Sequence, residues 1–381
     1  MVIMALDHVR DFFFKSSLKN TASVALDPTN MATTTPGLFF TRWITHFCAP
    51  VFLFLAGTSA YLMSRRKTKK QLSEFLIKRG LWLVLVEICI ISFAWTFNPF
   101  YNVIIFQVIW AIGISMVLLG ILVHFPYKFL FVLGLIIVMG HNLLQYAPFN
   151  SMKGSFGADL VYYTNFSAYK IDADHLLLIV YAFLPWTGVM LLGFCFGKLY
   201  EAGMEAARRR KILILLGSGL FLFFLLLRAI NIYGDLEPWS SQSRGPEYTF
   251  LSFLNTNKYP PSLDYLCMTL GPAMLLLAFL EKIQNRFTAI VSIYGRVPLV
   301  YYIAHLYLIH LIGLIIFYVS GYESKDIITA GSPFYFRPPG LGFPLPGVYT
   351  IWVIAVLVLF PLCRWYDRYK STHRNWWLSY L

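Results

Sequence analysis

Charge is scarce in this chain. Only 13% of its 381 residues are Asp, Glu, Lys or Arg, while 58% are hydrophobic. Soluble domains carry about 25% charged residues. The shortage excludes a disordered chain and a fibre, argues against a soluble enzyme, and leaves a polytopic membrane protein. Cysteine is sparse too. The five, at 48, 89, 195, 267 and 363, fall inside or beside apolar segments, with no spacing for a disulfide framework or a zinc site. There is no Walker loop, no G-x-G-x-x-G, no G-x-S-x-G elbow and no H-E-x-x-H, which removes most support for ATP-driven transport and for metalloprotease chemistry. No repeat of 20–50 residues and no soluble domain is visible, so residues 1–381 read as a single transmembrane domain. Acidic residues are outnumbered, 18 to 31, for a net charge of +13. The excess basic residues gather in particular loops, which is a topology signal and not a mark of nucleic-acid binding.

What the chain has in quantity is long apolar runs. A helix crossing the hydrocarbon core needs about 20 mostly apolar residues. Nine segments qualify: roughly 38–63, 80–97, 103–124, 128–147, 176–197, 212–233, 263–280, 298–320 and 346–365. A tenth, 1–14, is short, and it lacks the basic start and small-residue cleavage site of a signal peptide. It reads as the outer part of a first helix whose inner part precedes this chain. With residue 1 on the cytoplasmic side, the inner loops hold RRKTKK (65–70), ARRRK (207–211) and RWYDRYK (364–370), and with them most of the Lys and Arg. The positive-inside rule then gives an all-α bundle of about ten transmembrane helices in the cytoplasmic (inner) membrane, both termini cytoplasmic. The outer loops, about 15–37, 148–175, 234–262 and 321–345, are long and rich in turn-formers and aromatics. Long ordered loops over one face often cap a site.

Ionisable residues inside a bundle mark functional sites by default. The first helix carries Asp7, His8, Arg10 and Asp11. Positions 7, 8 and 11 share one face and Arg10 reaches Asp7. These groups face a cavity, one another, or water at the helix end. The second helix carries Arg42 and His46, again four apart, with Pro50 a turn later. Proline has no N–H, so the His46 carbonyl loses its helical partner. His8 and His46 both lie about 10 Å below the outer surface at about 1.5 Å per residue, on sequential antiparallel helices. The run Ala56-Gly57-Thr58-Ser59-Ala60 suits close helix packing. Glu87 sits mid-segment, either as a satisfied core carboxyl or as a site residue. His305 and His310, five apart, cannot share one metal ion, and His305 has Tyr301 and Tyr302 one turn behind it. No metal site is expected. Asp264 follows Ser262 near a helix start, where a carboxylate favours the dipole. Asn98 and Gln107 flank a turn and can line the outer cavity. Arg296 can meet an anionic cofactor phosphate or lipid headgroups. Trp43, Trp186 and Trp365 read as interface anchors.

The runs MVIMALDHVRDFF (1–13) and LFFTRWITHFCAPVFLFLAG (38–57) resemble bacterial members of the heparan-α-glucosaminide N-acetyltransferase catalytic-domain family. FQVIWAIGISMVLLG (106–120), YPPSLDYLCMTLGPAMLLLAFLE (259–281) and YGRVPLVYYIAHLYLIH (294–310) fit the same pattern. The resemblance implies a membrane acyltransferase that passes acetyl from cytosolic acetyl-CoA to a glucosamine amine across the membrane. It also shows departures. The heparan-acting branch is proposed to use a histidine just before the second helix, a position that falls near Pro36 here, and residues 9–45 contain no histidine. His46 stands where that branch has an Asp, and His8 where it has an Asn.

The combined expectation is an acetyltransferase acting on an amino sugar or related glycan at the extracytoplasmic face. His46 is expected as general base, with His8 as partner or alternate acyl acceptor. Asp7 orients a neighbour, and Arg42 meets the acceptor or the developing oxyanion. Asp11, Arg10, Asn98, Gln107, Asp264 and His305 are expected around the acceptor, and Arg296 at acetyl-CoA. Membrane lipids, a glycan acceptor and a second copy of the chain are the expected partners. The rival readings are a transporter or flippase that uses the same charged cavity without covalent chemistry, and a non-catalytic membrane scaffold.

Overall fold

The structure, a computed structural model, describes residues 1–15, 27–328, 334–338 and 340–380. Parts of the expected outer loops, 16–26, 329–333 and 339, lie outside them.

The chain is mostly helical. In order come α1 (Val2–Phe13), α2 (Pro36–Thr45), α3 (Cys48–Ser64), α4 (Lys69–Val86), α5 (Ser92–Thr96), α6 (Val108–Leu122), α7 (Tyr127–Gly140), α8 (Phe156–Ala158), α9 (Leu184–Phe196), α10 (Ala206–Ile230), α11 (Pro246–Leu254), α12 (Leu263–Leu280), α13 (Arg286–Arg296), α14 (Pro298–Val319) and α15 (Leu345–Thr372). Among the described residues six helices are long and apolar enough to cross a membrane: Pro36–Ser64, Tyr127–Gln145, Ala206–Ile230, Leu263–Leu280, Pro298–Val319 and Leu345–Thr372.

The other expected spans are shorter or interrupted, each for a local reason. The 80–97 segment passes through a π-helical turn at Glu87–Ile91 before α5. The runs at 103–124 and 176–197 each begin as a strand, β1 (Val103–Phe106) and β3 (Leu176–Ile179), before turning helical. A short apolar run fits a strand as well as a helix, and β-branched residues such as Val103, Ile104 and Ile105 favour the strand. With β2 (Ser167–Lys170) they form a three-stranded sheet in the order β1-β3-β2, β2 antiparallel to β3. The all-α expectation is corrected to that extent.

The chain divides into two compact units, each discontinuous in sequence. The first comprises residues 1–45, 88–104 and 284–381. In it α1 packs on α2, α14 and α15. Both ends of α1 are tied down: Trp352 Nε1 donates to the Val2 carbonyl at 2.8 Å, and Phe343 N to the Phe13 carbonyl at 2.7 Å. His310 of α14 lies between the carbonyls of Ala94 and Tyr335, 3.1 and 3.2 Å from its two ring nitrogens, and stacks on Phe97.

The second unit comprises residues 46–87 and 105–283. Its main helix pairs, α3 with α9, α4 with α6 and α10 with α12, meet at facing glycines: Gly57 and Gly193, Gly80 and Gly113, Gly217 and Gly271. Between α3 and α9 the backbones touch. A Cβ at Gly57 would collide with the Met190 carbonyl, and one at Gly193 with the Phe54 carbonyl. Thr58 Oγ1 donates to the Gly193 carbonyl at 3.0 Å across the same contact. The small-residue run at 56–60 therefore does bring its helix against a neighbour, as small residues do where helices pack in lipid.

Candidate active site

The first unit gathers the charges of α1. Arg10 Nη2 donates to Asp7 Oδ1 at 2.8 Å and to Asp11 Oδ1 at 2.6 Å. Arg42 of α2 pairs with the other oxygen of Asp7, and Arg337 donates to the Asp11 carbonyl. Asp7, Arg10 and Arg42 are buried. The guanidinium of Arg337 lies 4.6 Å from the Phe12 ring centre and 4.8 Å from that of Phe334. Burial draws its pKa down to about 10, against the attraction of Asp11, so Arg337 keeps its charge at neutral pH. Asp7 is thus held between two buried arginines, Arg10 and Arg42, while Asp11, its side chain partly exposed, closes the cluster.

His8 faces away from that ion cluster, toward α14. Its Nδ1 is 2.6 Å from Nε2 of His305. The two rings are within 10° of coplanar with centres 4.9 Å apart, so the nitrogens point at each other in the ring plane. His305 Nδ1 lies 2.8 Å from the carbonyl of Tyr301, one turn back on α14. Trp95 and Tyr302 meet the His8 ring edge-on, at 4.9 and 5.8 Å. Asn98 holds the turn that follows α5: its amide donates to Asn102 Oδ1 at 2.8 Å and its oxygen accepts from Phe100 N at 2.9 Å. Arg296 forks onto both oxygens of Asp367 at 2.8 and 2.6 Å.

In the second unit His46 is buried and its ring meets Tyr265 edge-on at 5.4 Å. Its carbonyl, robbed of a helical donor by Pro50, accepts from the Tyr265 hydroxyl at 2.7 Å. Glu87 caps α6, accepting from Trp110 N at 2.9 Å and Gln107 N at 3.3 Å. That is the satisfied-core role, and it fixes the backbone of Gln107. Asp264 sits 3.7 Å from Nη1 of Arg228. Arg228 is fully buried and gives its N–H groups to the carbonyls of Phe253, Ser252 and Asn255 at 2.8 to 2.9 Å, which ties the end of α10 to the end of α11. In the loop between them, Asp235 accepts from Asn257 N and from the Ser262 hydroxyl, while its burial pushes its carboxyl pKa up.

The same unit holds a cavity of about 540 Å³ at one end of α3, α7 and α9. Arg65, Lys67, Lys69 and Lys198 line it, together with the aromatic side chains of Tyr61, Phe125, Tyr127 and Phe194. Lys198 Nζ lies 5.3 Å over the Tyr127 ring. Glu201 is the one carboxylate on its wall, accepting from the Tyr61 hydroxyl at 2.5 Å with Arg65 3.8 Å away. Ligand pockets run to about 300–1,000 Å³. Four cations and four aromatic rings on one wall suit a polyanion that carries a flat base, such as a nucleotide. Among the described residues no group of three or more His, Cys, Asp or Glu is placed to hold a metal ion.

Residues 23–227 match the family described as heparan-alpha-glucosaminide N-acetyltransferase, catalytic, over more than half of the chain. The chain belongs to this family. Neither the curated proteins nor the solved structures contain a match to it. Membership brings membrane acetyltransferase activity as the general expectation, with acetyl-CoA the co-substrate general to the family. The matched segment takes in Arg42, His46, Asn98, Gln107 and every residue of the basic cavity. Asp7, His8, Arg10, Asp11, Asp264, Arg296 and His305 lie beyond its ends.

Several side chains that the fold gathers escape a reading of the sequence of this acetyltransferase-family chain. Arg65, Lys67, Lys69 and Lys198 register there only as topology signals. Their interleaving with Tyr61, Phe125, Tyr127 and Phe194 comes from three separate turns. Arg228 hides as a lone charge within an apolar run. Arg337 stands in the aromatic loop motif Phe336-Arg337-Pro338, where nothing local points to Asp11.

Proposed function

We propose that this chain is an inner-membrane acetyltransferase that takes acetyl from cytosolic acetyl-CoA and gives it to an amine or hydroxyl of an amino sugar or related glycan at the extracytoplasmic face. The observation that carries this reading is the basic, aromatic-floored cavity, whose size and donor set suit the phosphorylated adenosine head of acetyl-CoA. The charges that line it belong to the loops that the positive-inside rule assigns to the cytoplasm. Counting α1, Pro36–Ser64, α4 with its continuation through α5, α6, α7, α9, α10, α12, α14 and α15 as spans gives ten crossings with both termini inside. α13 is then a helix of the inner surface, with Phe287, Ile290 and Val291 exposed toward lipid. Arg296 is already forked onto Asp367, so the donor head is better assigned to Arg65, Lys67, Lys69 and Lys198 than to Arg296.

The reaction needs a base. The acceptor nitrogen or oxygen attacks the thioester carbonyl, its bond to carbon forms, and the carbon–sulfur bond breaks. The proton taken from the acceptor is returned to the CoA sulfur. His46 and His8 are the candidate bases. Arg42 and Asp7 supply charge for the developing oxyanion and for orientation. Arg10, Asp11, Asp264, Asn98, Gln107 and His305 are the remaining candidates for holding the acceptor.

The test is turnover. Purified protein in lipid vesicles receives radiolabelled acetyl-CoA and a panel of amino sugars and glycan fragments, and label in the acceptor and free CoA are both followed. Labelled acceptor with stoichiometric CoA release supports the reading and names the acceptor class. Movement of solute into the vesicles with no CoA released overturns it in favour of a transporter.

A further inference from the structure

Resting on the assignment of the donor's nucleotide head to the basic cavity, we propose that Glu201 is a specificity-determining residue of that cavity, accepting a hydrogen bond from the exocyclic amine of the adenine base.

A carboxylate is out of place on the wall of a polyanion site. It adds repulsion where Arg65, Lys67, Lys69 and Lys198 supply attraction. Its presence is explained if it meets a part of the ligand that carries no negative charge. A nucleotide has two such parts, the sugar hydroxyls and the base, and the surroundings of Glu201 favour the base. Tyr61 donates its hydroxyl to Glu201 Oε1 at 2.5 Å. The Tyr61 ring centre lies 5.3 Å from that of Phe194 and 6.4 Å from that of Tyr127. Tyr127 is anchored in turn by its own hydroxyl, which donates to the Cys195 carbonyl at 2.8 Å. All three rings line the cavity. Bases stack on aromatic side chains, whereas a ribose has no flat face to stack. Glu201 is bonded to the rim of one of these rings, where the edge of a stacked base comes to lie.

The two oxygens of Glu201 are differently engaged. The Tyr61 hydroxyl and the Arg65 guanidinium, the latter 3.8 Å away, both approach Oε1. Neither contact falls on Oε2. The carboxylate is thus held in place by one oxygen and offers the other to the cavity. A carboxylate only accepts, and the adenine amine presents two N–H donors at the edge of the ring. Such a bond is charge-assisted, and a base with a keto oxygen at that position meets the carboxylate with a second acceptor instead. Every residue of the arrangement belongs to the second compact unit.

The proposal is tested by binding, with the full chain in lipid nanodiscs. The probes are adenosine 3′,5′-bisphosphate, its 2′-deoxy form, and the purine riboside bisphosphate, which differs only in having hydrogen in place of the amine. The parent should bind the adenosine compound about tenfold more tightly than the purine compound. That is the lower end for a hydrogen bond to a charged group, since the Glu201 side chain is 31% exposed. Glu201→Met keeps the length of the side chain and offers no acceptor oxygen, and in it the preference should shrink to less than about twofold. Glu201→Gln keeps an acceptor oxygen and should restore part of the preference. Equal binding of the two compounds by the parent overturns the proposal and needs no variant. A preference that persists in Glu201→Met also overturns it, as does a variant that binds both compounds more tightly by the same factor, the mark of a merely repulsive charge. A loss confined to the 2′-deoxy compound overturns it in favour of the ribose. Acetyl-CoA turnover is followed separately. Turnover without base preference removes the role of Glu201 and leaves the acetyltransferase reading, while base preference without turnover does the reverse.

Discussion

Removing the Tyr265 hydroxyl should expose how the helix tolerates Pro50. Tyr265 is 0% exposed, His46 is 3% exposed, and the hydroxyl is 2.7 Å from the His46 carbonyl. That carbonyl has no i+4 N–H because residue 50 is proline. Hydrogen bonds between helices within membranes measure about 0.6 kcal/mol on average and about 1.7 kcal/mol at most. This one belongs near the upper end, since Tyr265→Phe leaves a buried acceptor with neither its helical nor its side-chain donor, a loss of about 1–3 kcal/mol in soluble proteins. We expect about 1.4 kcal/mol, close to a tenfold shift in the folding equilibrium. Pro50→Ala restores an N–H to that turn, so in its background Tyr265→Phe should cost only about 0.4 kcal/mol, a coupling of about 1 kcal/mol. Equilibrium unfolding of the four proteins by SDS in mixed micelles measures all three quantities. Equal cost of Tyr265→Phe in both backgrounds would refute the argument that Pro50 creates the acceptor that Tyr265 serves.

Three further outcomes can be checked in parallel. Glu87→Ala leaves the N–H groups of Trp110 and Gln107 without their acceptor and should destabilise by about 2–4 kcal/mol, whereas Glu87→Gln, which keeps one oxygen, should lose about half as much in the same unfolding assay. Gly57→Val forces apart the backbones of α3 and α9 and should cost about 1–3 kcal/mol. Retention of the parent stability there would mean that the two backbones do not touch at Gly57. Lys198→Glu should weaken acetyl-CoA binding at least about tenfold, with the loss shrinking as salt rises, while Arg296→Gln leaves affinity unchanged. Equilibrium dialysis with labelled acetyl-CoA distinguishes the two, and the reverse ranking would return the donor site to Arg296.

How much could be read in advance depended on whether a signal was local. The span at 263–280 was legible almost residue for residue, because Ser262 caps it and the run after it is apolar; α12 is Leu263–Leu280. The Arg10–Asp7 pair was legible from helical spacing, and so was the carbonyl freed by Pro50, whereas the bond between the adjacent Arg10 and Asp11 was not. Partners distant in sequence were not. His305 meets His8 across nearly the whole chain, and no periodicity predicts which of two buried histidines turns toward the other. The strands at Val103–Phe106 and Leu176–Ile179 were invisible as strands, since an apolar run of four residues leading into a helix carries no period of its own. Glu87 shows a third kind of limit. Its type allowed either a site or a core role, and only the position of the first turn of α6 decides between them.

The anchoring of Arg228 bears on the membrane itself. Lys211 near one end of α10 and Arg228 near the other bracket roughly 26 Å of helix at about 1.5 Å per residue, somewhat less than the approximately 30 Å of a typical hydrocarbon core. Long basic side chains usually absorb such a mismatch by reaching toward the headgroups. Arg228 has no such freedom, because its guanidinium is spent on the carbonyls of Ser252, Phe253 and Asn255. α10 therefore behaves as a gauge of fixed length. The surrounding bilayer must thin toward it or the helix must stand nearly upright, which would make the protein sensitive to acyl-chain length in the lipids chosen to house it.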